Sequence, residues 1–200
     1  MIPLVFPMIA DRWRIQWSDG MPIRAKQTLD GLGVFFDFPL SGAPALNNGV
    51  HYVNIHQPTD VSGYTAMHLR GHVQASGPPV FKPNDHSETP PCFFNLFIQE
   101  LLDDGTAADE TFRWWSNPTR VALDGLEFFD VTVPLFQPGV SNWSDVEGKS
   151  QLERPGGFMT ALRRAANFGF TFGGGSFFGH GVGLVSGAAR FRWGLCEFTP

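Results

Sequence analysis

The last third of the chain is dominated by aromatic residues that alternate with small or polar ones and are interrupted by glycine clusters. Residues 167–172 (Asn-Phe-Gly-Phe-Thr-Phe) run into three glycines, and a second alternating segment, 188–198, follows a glycine-rich stretch. An apolar residue at every second position is typical of a half-buried β-strand, and glycine clusters are typical of the loops between strands. The pattern predicts two strands joined by a wide loop, and it favours folds built from β-sheet.

The rest of the chain repeats this pattern in short segments. In residues 1–30, Trp13, Ile15 and Trp17 alternate with polar residues, which predicts an extended arm and a first strand. Further strands are predicted at residues 33–40, 50–56, 64–74, 92–101, 111–116, 127–135, 169–172 and 188–198. Turn signals separate them, among them the segment Ser-Gly-Pro-Pro at 76–79. This succession predicts an all-β protein, a single jelly-roll β-sandwich with an extended N-terminal arm.

One short helix is predicted at about residues 157–167. Phe158 and Leu162 are one helical turn apart and begin a narrow apolar stripe. Arg163 and Arg164 fall in the second half of this segment, where positive charge favours the helix dipole. We therefore expect the helix to lead into the strand at 169–172.

The composition supports one aromatic-rich domain. The chain has 20 phenylalanines and six tryptophans, which predict an aromatic core, and its 23 glycines and 16 prolines disfavour long helices. Its 200 residues fit one large domain, and no repeat or long linker divides them. We expect residues 31–200 to form the sandwich domain and residues 1–30 to supply the arm and first strand.

The net charge and the apolar N-terminal segment restrict which partners and which cell compartment are expected. A net charge of −5 with only 14 lysines and arginines argues against nucleic-acid and anionic-membrane surfaces, because both need clustered basic residues. The first ten residues are apolar but lack a basic leader, and Pro3 and Pro7 interrupt them, so no signal peptide is predicted. No apolar run approaches the roughly 18–20 residues of a membrane span. As written, the chain is expected to be made in the cytoplasm without a secretion signal, and a mature or excised domain is the alternative.

The two cysteines favour neither a zinc site nor a disulfide scaffold, because they lack short spacing. Cys92 and Cys196 both lie among apolar neighbours. We expect buried free thiols, and a single disulfide is the alternative.

Signatures of catalysis are missing from the sequence. No Gly-x-Ser-x-Gly motif occurs, and Gly148-Lys149-Ser150 lacks the upstream glycine of a phosphate-binding loop. His68 and His72 lie in a strand-like segment, where they would be about 13 Å apart and unable to share a metal. The many carboxylates could include a catalytic pair or, with backbone carbonyls, a structural calcium site. They are Asp103, Asp104, Asp109, Glu110, Asp124, Glu127, Asp130, Asp145 and Glu147.

Several aromatic residues are candidates for ligand contact. Trp114 and Trp115 point to opposite faces if they lie in a strand, so one is core and the other is not. Trp143 follows a loop, and an exposed indole stacks well on the apolar face of a sugar ring. His180 is flanked by glycines and is predicted to lie in an exposed loop.

The order of elements in the second half resembles a known family. A strand with Val133-Pro134-Leu135 precedes Asn142-Trp143-Ser144, and the predicted helix, the strand at 169–173 and the final strand at 189–198 follow. This order resembles the galactose-binding-like jelly rolls, the fold of many non-catalytic carbohydrate-binding modules. In that family a tryptophan commonly follows the valine-proline-leucine strand, and a helix leads into the penultimate strand. The final strand departs from the family, since Gly-Leu-Cys-Glu at 194–197 stands where an Asp-Asp-hydrophobic ending is frequent.

The resemblance and the loop aromatics together predict a non-enzymatic module that binds carbohydrate. Stacking on sugar rings is expected from aromatic side chains, and hydrogen bonds from an amide, an imidazole and a guanidinium. The expected ligand-binding residues are Trp143, Asn142, Trp115, Arg113, His180 and Phe177, with Phe178 as the alternative to Phe177. No cofactor is expected other than the structural calcium considered above.

Two alternatives stay open. The first is a structural or assembly protein, such as a virion decoration or tail component of a bacteriophage, whose apolar arm docks on neighbouring subunits of an oligomer. The second is a glycan-active enzyme that uses paired carboxylates.

Overall fold

A computed structural model of the protein describes residues 1–17, 23–40, 49–84, 89–101, 112–175 and 180–200. Within these ranges the chain forms twelve strands, one α-helix and two short 3-10 turns at Ala10–Arg12 and Asn117–Thr119. The elements are β1 (Leu4–Val5), β2 (Trp13–Trp17), β3 (Lys26–Gln27), β4 (Val34–Asp37), β5 (Val50–His56), β6 (Ala66–Pro83), β7 (Phe93–Glu100), β8 (Arg113–Trp115), β9 (Val121–Ala122), β10 (Phe128–Pro134), α1 (Pro155–Arg163), β11 (Ala165–Gly173) and β12 (Val182–Thr199). The predicted fold class, all-β with one short helix, is confirmed.

Two long strands form the centre of the sheet. β6 and β12 have 18 residues each, and they pair antiparallel from Ala66 opposite Thr199 to Pro83 opposite Val182. The main path of the sheet is β10-β6-β12-β5-β11-β7-β8, and all the pairings between the strands named above are antiparallel. None of the described helices is both long and apolar enough to cross a membrane.

The sheet folds over so that its two halves pack face to face. One half contains β10, β6 and β12 with β1, β3 and β4, and the other contains β2, β5, β11 and β7 with β8 and β9. Aromatic rings of β11 meet those of β12, with Phe170 5.1 Å from Phe191 and Phe168 5.1 Å from Phe198 between ring centroids. This two-layer packing is compatible with a β-sandwich, and the predicted aromatic core lies between the layers.

The N-terminal arm belongs to this core. β1 pairs with the end of β12, and the buried ring of Phe6 stacks on Phe168 at 5.0 Å. Trp13 is buried as well, 5.1 Å from Trp193 between ring centroids. The arm therefore contributes to folding of its own chain.

Strand β6 corrects one sequence prediction. The segment 76–79 was expected to be a turn, but β6 continues through it to Pro83. The extra residues form a bulge, because the register against β12 shifts between Ser186 and Ala188. Gly187, opposite the bulge, has φ of 76°, and a Cβ there would lie 2.8 Å from the Pro78 carbonyl oxygen. Glycine and proline therefore mark an irregular strand here.

The helix is also shorter than predicted. It spans Pro155–Arg163, and β11 already begins at Ala165, opposite Glu100 of β7. Pro155 suits the first turn of a helix, where its missing N–H costs nothing. The apolar residues at 165 and 166 were assigned to the helix stripe, but they belong to β11, whose register against β7 is irregular between Ala165 and Asn167.

The two thiols have the predicted state. Cys92 and Cys196 are free and fully buried. Burial raises the pKa of the Cys196 thiol, and the neighbouring Glu197 raises it further.

Candidate functional site

Side-chain alternation on β12 creates a polar face on the outside of the first half of the sheet. Phe191 and Trp193 are fully buried in the core, so Arg190 and Arg192 point to the opposite face. β4 pairs with this part of β12 and presents Phe35 opposite Arg192 and Asp37 opposite Arg190. Cationic, anionic and aromatic side chains therefore meet on one outer surface.

Arg190 contacts both an acidic and an aromatic side chain on this face. Its Nε donates to Asp37 Oδ1 at 2.7 Å, and a terminal nitrogen donates to Asp37 Oδ2 at 3.3 Å. Its Cζ lies 4.0 Å from the centroid of the Phe35 ring, within cation–π range. Lys26 Nζ also reaches Asp37 Oδ2 at 3.3 Å. The guanidinium is therefore held both at its edge and on its face.

A second pair lies beside the first. Arg192 donates to Asp30 Oδ2 at 2.7 Å. Asp30 Oδ1 accepts hydrogen bonds from the Thr28 hydroxyl at 2.5 Å and the Leu32 amide at 3.0 Å. These two bonds and Arg192 lower the pKa of Asp30 from 3.8 to about 2. Asp30 is consequently ionised at neutral pH.

Asp37 and Arg190 also hold their charges firmly. Burial opposes ionisation of Asp37, but the hydrogen bonds from Arg190 and Lys26 outweigh it and keep its pKa below the usual value. The hydrogen bond that Arg190 donates to Asp37 in turn raises the pKa of Arg190. The site therefore presents fixed charges over a wide range of pH.

Two adjoining clefts open on this face, and we name them together the double cleft. One has a volume of about 270 Å³ and the other about 320 Å³. Arg190 and Gln74 line both, since Gln74 of β6 lies directly opposite Arg190 in the sheet. The second cleft adds Asp30, Phe35 and Arg192. The double cleft is our candidate functional site.

The residues predicted from the sequence lie elsewhere. Trp143 is fully buried, its Nε1 donates to the Pro134 carbonyl at 2.9 Å, and its ring stacks against Phe158 of α1 at 6.0 Å. Asn142 is also buried, with its Nδ2 3.5 Å from Gln137 Oε1. Neither face of the Trp143 indole is open to solvent in this arrangement.

The remaining predicted residues border the outer face of the other half of the sheet. Trp115 is buried, and it exchanges backbone hydrogen bonds of 2.9 and 3.0 Å with Ser144, next to Trp143. Arg113 lies opposite Gln99 at the edge of the same face. His180 is half-buried, 6.2 Å from His51 between ring centroids. Phe177 and Phe178 lie outside the described residues.

The structure thus brings Arg113, Trp115, Asn142 and Trp143 together around β8. Each of the five predicted residues that are described lies away from the double cleft. Their ligand-binding role stays a prediction, and it concerns a different surface from the double cleft.

Sequence reasoning missed the double cleft. The alternation of Arg190 and Arg192 with Phe191 and Trp193 was a usable signal, because it assigns a basic side and an aromatic side to one strand. The contributions of Asp30 and Gln74 had no such signal, because they depend on pairing between distant segments.

The acidic residues predicted as calcium ligands are only partly described. Asp145 is fully buried, and its Oδ1 accepts the amides of Glu147 and Lys149 at 3.0 and 2.9 Å. Its Oδ2 pairs with Arg154 at 2.9 Å. No group of three or more His, Cys, Asp or Glu side chains within the described ranges could hold a metal ion. Residues 103, 104, 109 and 110 lie outside those ranges.

His68 and His72 lie in β6 as predicted. The His68 ring contacts two carboxylates, Asp130 at 2.6 Å from Nε2 and Glu197 at 3.2 Å from Nδ1. His72 lies opposite Arg192 in the sheet. Burial lowers the pKa of His72, and the charge of Arg192 lowers it further.

Comparison with known proteins provides no assignment. No protein-family model matches this chain, and no curated protein sequence matches it.

Proposed function

We propose that this protein is a non-enzymatic glycan-recognition module that binds sugar in the double cleft. The observation that carries the proposal is the combination of fixed polar side chains with the partly exposed ring of Phe35 on one open surface. Sugars need paired hydrogen-bonding groups for their hydroxyls and an apolar surface for their ring faces. Arg190, Asp37 and Gln74 offer the first, and the part of the Phe35 ring that Arg190 leaves uncovered offers the second.

Prior ordering of the polar groups supports this proposal. The two-point contact of Arg190 with Asp37 and the three contacts of Asp30 exist without ligand. Binding then pays little for immobilising these side chains, which favours recognition of flexible, hydrated ligands. The open shape of the clefts suits a saccharide chain that lies along the sheet.

We also propose that the sandwich is a jelly roll of the galactose-binding-like type. The support is the order of elements: β10 with its Val-Pro ending, then Trp143, then α1, then β11 and β12. In this proposal Arg113, which is partly exposed beside the buried Trp115, serves as a second glycan contact on the opposite face.

A substitution pair tests the double cleft. In Arg190→Gln the charge and the stacking on Phe35 are lost, whereas Arg14→Gln changes an exposed arginine of β2 in the other half of the sheet. A glycan array identifies the ligand, and titration calorimetry then compares the variants. We expect Arg190→Gln to weaken binding about tenfold or more and Arg14→Gln to leave it unchanged. Equal binding by both variants would reject the double cleft as the site.

A second function, assembly into a larger particle, is favoured by the exposed apolar residues at the N-terminus. Met1 and Ile2 are 78% and 82% exposed, and Val5 and Ile9 are 54% and 55% exposed. We propose that these side chains contact a neighbouring subunit, as in a virion component made in the cytoplasm. Contiguous exposed apolar side chains are typical of protein interfaces.

The oligomeric state tests this second function. Deleting the arm is unsuitable, because it would remove Phe6 and Trp13 from the core. The double variant Ile2→Ser/Ile9→Ser instead changes exposed side chains only, and Val185→Ser, 57% exposed on β12, is the control. Light scattering should show an oligomer that dissociates in the double variant and persists in the control. A monomeric wild-type chain would reject the assembly function.

A further inference from the structure

We infer that the glycan bound by this face is acidic and carries carboxylate or sulfate groups that Arg70 and Arg192 hold. The inference rests on the proposed function and names the class of its ligand. It is carried by a cluster of basic side chains on two neighbouring strands, which we name the basic ladder: Arg70, His72, Arg190 and Arg192.

The pairing of β6 with β12 builds the basic ladder. Leu69 and Val73 of β6 are buried, so Arg70 and His72 point to the same outer face as the double cleft. His72 lies directly opposite Arg192, and directly opposed side chains are about 5 Å apart at their Cβ atoms. Arg70 lies two residues before His72 in β6 and therefore on the same face. The ladder therefore extends the double cleft along the sheet.

This face is less acidic than the chain as a whole. The protein has a net charge of −5, yet Lys26, Arg70, Arg190 and Arg192 meet on this surface. The carboxylates that face them are Asp30 and Asp37, with Asp130 of β10 directly opposite Arg70 and Glu197 of β12 on the far side of His68. The Asp130 carboxylate contacts His68 Nε2 at 2.6 Å. Basic and acidic side chains are therefore equal in number on this face, and Arg70 makes no ion pair with a described residue.

Two of the guanidinium groups keep donors available. Arg70 is exposed and has no ion pair with any described residue. Arg192 uses one terminal nitrogen for Asp30, and a guanidinium has five N–H donors. Carboxylate and sulfate oxygens accept paired hydrogen bonds from this fork better than neutral hydroxyls do. A neutral sugar would leave this capacity unused.

The environment of His72 agrees with this argument. Its pKa is lowered by burial and by the positive charge of Arg192, so the ring adds no further charge at neutral pH. A neutral imidazole between two arginines can still donate or accept one hydrogen bond at each nitrogen.

Matched polysaccharides test the inference. The probes are polygalacturonate with its fully methyl-esterified form, and dextran sulfate with dextran, because each pair differs only in the acidic group. We expect the full chain to bind the acidic member of at least one pair about tenfold or more tightly than the neutral member, with binding weakened by added sodium chloride. Arg70→Gln and Arg192→Gln should each weaken that binding several-fold, and Arg14→Gln should not. Arg70 is exposed, so Arg70→Gln is expected to fold normally.

The outcomes separate this inference from the proposed function. Equal binding of acidic and neutral members would overturn the inference and leave the glycan-recognition function standing. Binding to none of the four probes would also overturn it, and the glycan array would then decide the proposed function independently. Equally tight binding of duplex DNA and dextran sulfate would identify a general polyanion surface and overturn the inference as well.

Discussion

The guanidinium of Arg190 lies over the ring of Phe35, with its Cζ 4.0 Å from the ring centroid. Asp37 holds the edge of the same guanidinium through two hydrogen bonds. An ammonium cannot reproduce the stacked, two-point arrangement, because it has neither the flat face nor the paired donors of a guanidinium. Lys26 makes a single contact to Asp37 and lies 5.8 Å from the Phe35 centroid. Substitutions at Arg190 can therefore separate the effect of its positive charge from the effect of its planar shape.

We therefore predict that Arg190→Lys lowers glycan affinity several-fold although the charge is retained. The free energy of unfolding should change by no more than about 1 kcal/mol, because exposed ion pairs contribute little. Calorimetric titration with the glycan and urea unfolding measure the two effects. Arg14→Lys, on the other half of the sheet, is the control. Unchanged affinity in Arg190→Lys would show that charge alone matters.

The lowered pKa of Asp30 predicts that the stability of the fold depends on pH. Its pKa is about 2 in the folded protein and 3.8 ordinarily, so its ionised form stabilises the fold above about pH 4, and this contribution is lost as the pH falls through about 2. Asp30→Asn should lower the melting temperature at neutral pH, and the difference from wild type should vanish near pH 2. Thermal unfolding across this range measures it. A difference between Asp30→Asn and wild type that does not change with pH would contradict the prediction.

Trp143 and Trp193 form a matched pair for the role of a buried indole. Both are fully buried, but Trp143 Nε1 donates to Pro134, whereas Trp193 Nε1 has no partner among the described residues. We predict that Trp143→Phe lowers the free energy of unfolding by about 1 kcal/mol more than Trp193→Phe, because it also leaves a buried carbonyl unsatisfied. Denaturant unfolding measures this difference.

The same variant tests the sequence-based site. Glycan binding by folded Trp143→Phe should equal that of wild type if the double cleft is the site. Loss of binding with unchanged stability would instead support the original prediction for Trp143.

The thiols provide a fourth prediction. Cys92 and Cys196 are fully buried, and burial raises the pKa of Cys196, so little thiolate forms. The native protein should not react with Ellman's reagent, and the two thiols should react after unfolding in guanidinium chloride. Rapid reaction of either thiol in the native protein would show that its surroundings open.

Sequence reasoning succeeded where a structure depends on neighbouring residues and failed where it depends on contacts between distant segments. β5 was predicted at residues 50–56 and forms at Val50–His56, because alternation within one strand is a local property. The strand through residues 76–79 was missed, because only the opposing Gly187 reveals that the glycine and prolines there form a bulge. The Arg190–Asp37 pair joins residues 153 positions apart, and no local pattern encodes such a register.

The long pairing of β6 with β12 has a consequence for synthesis of the chain. β12 is built from residues 182–199, and it supplies partners to β1, β4, β5 and β6. Until these residues have left the ribosome, β6 lacks its main partner and the aromatic residues of β11 lack a layer to cover them. We expect the sheet to close only after residues 182–199 have emerged, and slowly, since contacts between distant segments delay folding. During this interval the nascent chain exposes aromatic strands, so its yield in cells should depend on chaperones.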